Sequence, residues 1–149
     1  MEFLVENWLD IKAEMIPLVA DHWPECNSDP REPFDLDELK YDTLAGEGMM
    51  HITTARLEGK LIGYVASMLM TNINSKSVFG SFEMGWYVTP EHRKGGLGIK
   101  IKKIAEENLK AAGVQVMYSA IPAKMDLSVV MEKLGWSVAE VHYKKWIGA

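Results

Sequence analysis

The sequence predicts one α/β (α+β) domain, a mixed central sheet with helices on both faces. Three observations carry this. Two strand-like runs within 49–71 flank Glu58-Gly59-Lys60, which reads as a hairpin turn. A third long run, 77–89, follows them directly. That run leads through a strongly amphipathic stretch, 97–113, to another apolar run at 114–121. Hairpin neighbours pair antiparallel, whereas a strand–helix–strand unit makes a parallel crossover, so one sheet must hold both kinds of pairing.

Taken in order, "MEFLV" predicts a short first strand. Trp8, Ile11, Met15, Leu18 and Val19 then recur at helical spacing through 6–23, with Pro17 expected to kink or restart the helix. "PECNSDPREP" (24–33) reads as a loop because it holds three prolines. A second helix is expected over 34–48, with Asp35 as its cap, Glu38 at capping-box spacing, and Gly46 or Gly48 at its end. After the hairpin and the 77–89 strand, Leu97, Ile101, Ile104, Ala105, Leu109 and Ala112 form one apolar stripe that Gly113 terminates. "VQVMYSAI" reads as a strand ended by Pro122, "MDLSVVMEKLG" as a helix ended by Gly135, and "WSVAEVHYKKWI" (136–147) as a closing strand. The expected order is β-α-α-β-β-β-α-β-α-β.

The 149 residues suit a single domain over 1–149, and 48% hydrophobic content excludes a disordered chain. The first 15 residues carry Glu2, Glu6, Asp10 and Glu14 and no apolar core of a signal peptide. No run approaches the roughly 18 apolar residues of a membrane span. Cys26 is the only cysteine, so no disulfide framework or cysteine metal site is expected, and the setting reads as cytoplasmic. His22, His51, His92 and His142 lack metal-ligand spacing, so no metal is expected. A net charge of −5 argues against nucleic acid as a partner. Cys26 stands in a Pro-rich loop with no evident base beside it. Trp146 is a candidate for a homodimer contact.

The stretch that points to chemistry is "HRKGGLG" (92–98). It joins a strand end to a helix start. The first N–H groups of a helix have no intrahelical acceptor, glycines let a large anion approach them, and the helix dipole favours negative charge there. Arg93 and Lys94 add positive charge. No Gly-Lys-Ser/Thr follows, which excludes a P-loop, and the third glycine of the dinucleotide fingerprint is absent. A second candidate is Glu83, in mid-strand, where a charge is costly unless it is used or paired.

"WYVTPEHRKGGLG" resembles motif A of the GNAT N-acetyltransferases, Arg/Gln-x-x-Gly-x-Gly/Ala between a strand and a helix, met here by Arg93 to Gly98. "MEKLGW" (131–136) is similar to the family's "YEKLGF" signature, and the element order matches across nearly the whole chain. The resemblance implies a GNAT-like, mostly antiparallel sheet and acetyl-CoA as co-substrate. It implies that the pyrophosphate sits on amides of Lys94, Gly95, Gly96, Leu97, Gly98 and Ile99, beside Arg93. It further implies that the pantetheine arm pairs near Tyr87 and Val88, that the Val88 N–H stabilises the oxyanion, and that Glu83 serves as base or proton relay. The family's acid, a tyrosine, is replaced here by Met131, and a nearby asparagine by Lys124. Tyr118, Ser128 and Tyr143 are the candidate substitutes. The acceptor is expected to be a small-molecule or peptide amine, and a cationic one, because residues 21–47 are strongly acidic. The alternative is a degenerate module that binds acyl-CoA or a protein partner without turnover.

Overall fold

The computed structural model describes residues 1–148; Ala149, the last residue of the expected domain, lies outside them. Five strands form one sheet in the order β1-β2-β3-β4-β5: Glu2–Glu6, Met50–Leu57, Lys60–Asn72, Ser75–Val88 and Val116–Tyr118. The first four pair antiparallel, and β5 pairs parallel to β4. Four helices accompany them: α1 (Trp8–Cys26), α2 (Glu38–Gly46), α3 (Leu97–Ala111) and α4 (Ser128–Lys133). Glu58 and Gly59 take positive φ in the β2–β3 turn, as a two-residue hairpin requires. The sheet is mixed, mostly antiparallel and covered on both faces, as the sequence predicts.

One core lies beneath α1 and α2, built on Trp8, Ile11 and Met15 against Ile52, Tyr64 and Tyr87. The other lies beneath α3, where Leu97, Ile101 and Ala105 meet Ile62, Val65 and Val88. The α3 stripe is the expected one, with a single surprise: Lys102 is fully buried within it.

Element boundaries move: β5 keeps only Val116–Tyr118 of the strand expected over 114–121, α4 only Ser128–Lys133 of the helix expected over 125–135, and α1 and α2 shift as well. Helix α1 runs through Pro17 and Pro24 to Cys26, and the Asn27 N–H closes it on the Trp23 carbonyl at 2.8 Å. Residues 24–26 are therefore the helix's last turn rather than a loop, which places Cys26 one turn beyond His22. Helix α2 begins at Glu38 because the Asp37 carboxylate, not Asp35, accepts from the Lys40 amide.

The expected closing strand at 136–147 does not form. Its would-be neighbour β5 offers an outer edge of only three residues, too short a ladder to hold it. The tail turns instead toward the α1–α2 connection. Lys144 Nζ lies 2.9 Å from Glu32 and 3.6 Å from Asp29, and the Arg31 guanidinium sits 4.8 Å over the Trp146 ring. Val138, Val141 and Tyr143 remain exposed.

Candidate active site

The site begins with an irregularity in β4. Ala66 faces Gly85, yet the next residue, Ser67, faces Glu83, so Met84 is an extra residue: a β-bulge. Strict alternation would put Glu83 on the same face as Tyr87. The bulge moves it to the opposite face, beneath α3. There one Glu83 oxygen pairs with the Lys102 ammonium and the other accepts from Ser119 Oγ at 2.7 Å. Lys102 is further enclosed by the Trp86 and Trp136 rings, 5.1 and 4.4 Å from its Nζ. Each carboxylate oxygen thus accepts from one of the protein's own groups, which makes Glu83 the ion-pair partner of Lys102, while the residue also borders the cleft that opens where β4 and β5 part.

Beyond Phe82 and Tyr118, the last paired residues, β4 and β5 diverge. The gap opens into a cleft of about 610 Å³ that reaches from α1 to the start of α3 and to α4. This lies in the roughly 300–1,000 Å³ range of small-ligand sites. The Thr89 N–H donates to the Ile62 carbonyl of β3 at 2.9 Å. Backbone polarity alternates along a strand, so the Val88 N–H and C=O face the other way, into the gap. Arg93 Nε donates to that Val88 carbonyl at 2.8 Å, consistent with this orientation. By the same alternation the backbone of Tyr87 serves β3, and it is the Tyr87 ring that lines the cleft.

A 3₁₀ turn, Pro90–His92, then carries the chain to α3. Gly95 and Gly96 take φ of +81° and +77°, conformations that favour glycine. Gly96 caps α3 and no side chain satisfies its first amides. Gly96, Gly98 and Ile99 line the cleft, so these amides open on it. Lys94 and Gly95 are exposed on the outer side of the turn, and Leu97 packs into the α3 core. The Arg93 guanidinium is turned to the α1 side, where it meets Glu25 at 2.6 Å and covers the Tyr87 ring at 5.3 Å.

The three candidate acids are not gathered here. Tyr118 stacks on Phe82 at 6.0 Å, Ser128 donates to Asp126 at 2.7 Å on an exposed turn, and Tyr143 is 93% exposed on the tail. None lines the cleft. The acidic segment disperses too. Asp29 pairs with Arg31, Glu32 with Lys144, and Glu38 and Asp42 with Lys12, which leaves Glu25 as the one of its carboxylates on the cleft wall.

Sequence reading missed a cluster on that wall. His22 Nδ1 lies 2.9 Å from the Tyr64 hydroxyl and Nε2 3.0 Å from Cys26 Sγ, and its ring packs 4.9 Å from Tyr87. The i,i+4 spacing of His22 and Cys26 was a usable signal once the helix was known to pass Pro24. Burial raises the pKa of the Cys26 thiol and the Tyr64 hydroxyl.

Burial also lowers the pKa of His22, and of His51 on β2, below the ordinary 6.5. An unfolded chain binds protons as pH falls through 6.5, while these folded imidazoles stay neutral to lower pH. Stability is therefore lost as pH drops below the unfolded value, and the loss levels off beneath the folded one. The Tm should fall between pH 7 and pH 5, and a His22→Gln, His51→Gln double variant should flatten that fall. Thermal melts across the range check this; parallel curves for parent and variant would refute it.

The model of the acetyltransferase (GNAT) family matches residues 14–128, and the chain belongs to that family. It is thus an acetyltransferase by class. No curated protein matches it by sequence. Among solved structures it is similar to a ribosomal-protein-alanine N-acetyltransferase from Brucella melitensis biovar Abortus 2308, with TM-score 0.76 and 16% identity over 99% of this chain and 98% of that one. It is similar to AAC(6')-Iy solved with the bisubstrate analogue CoA-S-monomethyl-acetylneamine, with TM-score 0.71 and 18% identity over 98% of each chain. A glucosamine-6-phosphate N-acetyltransferase from Arabidopsis thaliana has TM-score 0.70 and 15% identity over 99% of this chain and all of the other. At these identities the likeness is one of fold. Among the described residues no helix is long and apolar enough to cross a membrane.

Proposed function

We propose that the protein moves an acetyl group from acetyl-CoA to a primary amine by direct attack. The observation that carries this is the Val88 peptide edge, turned into the cleft where β4 and β5 part, beside the uncapped start of α3. The α3 amides suit a pyrophosphate, and the gap admits an extended pantetheine arm. A thioester carbonyl directed at the Val88 N–H would have its developing oxyanion stabilised there. Attack by the neutral amine forms the N–C bond, and collapse of the tetrahedral adduct expels the coenzyme A thiolate. A thiolate is a tolerable leaving group. With Tyr118, Ser128 and Tyr143 outside the cleft, departure proceeds without an acid from any of them.

The acceptor is an amine whose body meets a mostly apolar wall that includes Met84, Met125, Leu127 and Val130. Glu25 is already paired with Arg93, so the site offers little to select a polycation. Thiol release from acetyl-CoA, measured against amino sugars, aminoglycosides and peptide amino termini, tests the proposal. An acceptor-dependent signal is expected. Coenzyme A binding with no thiol release from any amine would establish the non-catalytic module instead.

A further inference from the structure

We propose that His22 is the proton acceptor for the attacking amine, with Tyr64 as its positioning residue across Gly85. This deepens the acetyl-transfer reading and rests on it.

An amine of the usual kind arrives as an ammonium, with a pKa of roughly 10, and cannot attack until one proton is removed. A base must therefore face the cleft with a free lone pair. Glu83 also borders the cleft, but Lys102 and Ser119 each engage one of its oxygens and the carboxylate balances a buried ammonium, so His22 is the less committed group. Glu25 is held by Arg93. His22 lines the cleft on the α1 side, packed against the ring of Tyr87, the residue before Val88. Its nitrogens are differently engaged. Nδ1 is fixed by the Tyr64 hydroxyl, from a side chain that is 2% exposed. Nε2 is covered only by the Cys26 thiol, a weak donor on an exposed residue that an ammonium can displace. The role requires the tautomer in which Nδ1–H is donated to the Tyr64 oxygen, which leaves the Nε2 lone pair toward the cleft; with Tyr64 O–H donating to Nδ1 instead, Nε2 would carry the proton.

The backbone opposite is shaped to permit this contact. A Cβ on Gly85 would stand 3.0 Å from a Tyr64 ring carbon, 3.3 Å from its hydroxyl and 3.4 Å from His22 Nδ1. The two distances to Tyr64 are tighter than ordinary packing and the one to His22 is at its limit, so a side chain there would push chiefly on Tyr64 and through it on the Tyr64–His22 bond. Gly85 also adjoins the bulge residue Met84. One irregularity thus commits the Glu83 carboxylate to Lys102 beneath α3, although the residue still borders the cleft, and brings a bare backbone beneath the imidazole.

The groups facing His22 are Cys26 and Glu25 on α1, Tyr64 on β3, Tyr87 on β4, and Arg93 beyond it. The Glu25 and Arg93 charges act on the imidazole in opposite senses and are paired with each other, so burial dominates and keeps the ring neutral near pH 7. The proton account closes. One ammonium proton passes to Nε2 and on to solvent through the open cleft. The amine nitrogen bonds to the acyl carbon, the carbon–sulfur bond breaks, and the second nitrogen proton leaves with the thiolate as free coenzyme A.

The test is the pH–rate profile of acceptor-dependent thiol release, with circular dichroism to confirm folding. His22→Gln should lower kcat by about 100-fold or more at pH 7, the usual scale of a positioned base, and leave the KM for acetyl-CoA near the parent value. The deficit should shrink as pH rises toward the amine pKa, because solvent then supplies the free amine. Tyr64→Phe should shift the acidic limb with a smaller loss, and imidazole should partly restore His22→Ala. Cys26→Ala should keep the limb; its disappearance there would mean that His22 serves the thiol rather than the amine. An equal loss at every pH, or no loss, overturns the role of His22 while the acetyltransferase reading stands. Absence of thiol release by the parent with every acceptor overturns both.

Discussion

Gly98→Leu is expected to weaken coenzyme A binding by about 100-fold or more with the fold intact. The reasoning starts from the space around this glycine. It lies in the first turn of α3, and a Cβ there would meet only the Trp86 ring, at an ordinary 3.8 Å. The Trp86 indole N–H donates to the Gly98 carbonyl at 3.0 Å, a bond that a side chain need not disturb. The chain therefore tolerates the change. The ligand does not, because a branched side chain at the cleft lip keeps a pyrophosphate from the amides of residues 97–99. Hydrogen bonds to a charged acceptor contribute about 1.5–3 kcal/mol each, and about 1.4 kcal/mol is tenfold, so losing two of them gives the stated factor. Gly96 is a poorer probe, since its φ of +77° adds backbone strain to any substitution. Arg93→Ala should cost less, about tenfold, because that guanidinium already serves Val88 and Glu25. Calorimetric titration with coenzyme A, beside thermal melts, decides it. Unchanged affinity in folded Gly98→Leu would remove the α3 start as the phosphate site.

Why the turn before α3 was legible in the sequence, and the opposite cleft wall was not, follows from range. The turn at 93–98 is local: glycines, a strand before and a helical stripe after are all visible within 77–113. So is the β2–β3 hairpin, which Gly59 marks. The bulge at Met84 leaves no comparable mark, since nothing in "SFEMGWYV" says which residue is extra. One unseen residue exchanged the faces of β4 and with them the surroundings of Glu83, which pairs with Lys102 beneath α3. The His22–Tyr64 contact joins positions 42 apart, and the His22–Cys26 contact depends on Pro24 not ending α1, where local rules favour a break. The tail failed for a different reason. Its alternation reads as a strand, but a strand needs a ladder, and β5 offers three residues.

Lys102→Met should lower the Tm by about 6–20 °C, the equivalent of removing one member of a buried ion pair at about 3–5 kcal/mol in a chain of this size. Glu83→Gln should act in the same direction, because it leaves the ammonium enclosed by Trp86 and Trp136 without its counter-charge. The side chains are only 2% and 8% exposed, so neither charge can turn to water without opening the α3 face. Replacing both residues by methionine should recover most of the loss, since an apolar pair of similar volume avoids desolvating two ions. The same variants separate structure from catalysis. If Glu83 were the base, Glu83→Gln would lose turnover in proportion to the missing carboxylate, and the double methionine variant would be equally dead although stable. If the carboxylate only balances Lys102, the double variant regains activity together with its melting temperature, and the proton must leave the amine by another side chain, for which His22 stands on the opposite face of the strand.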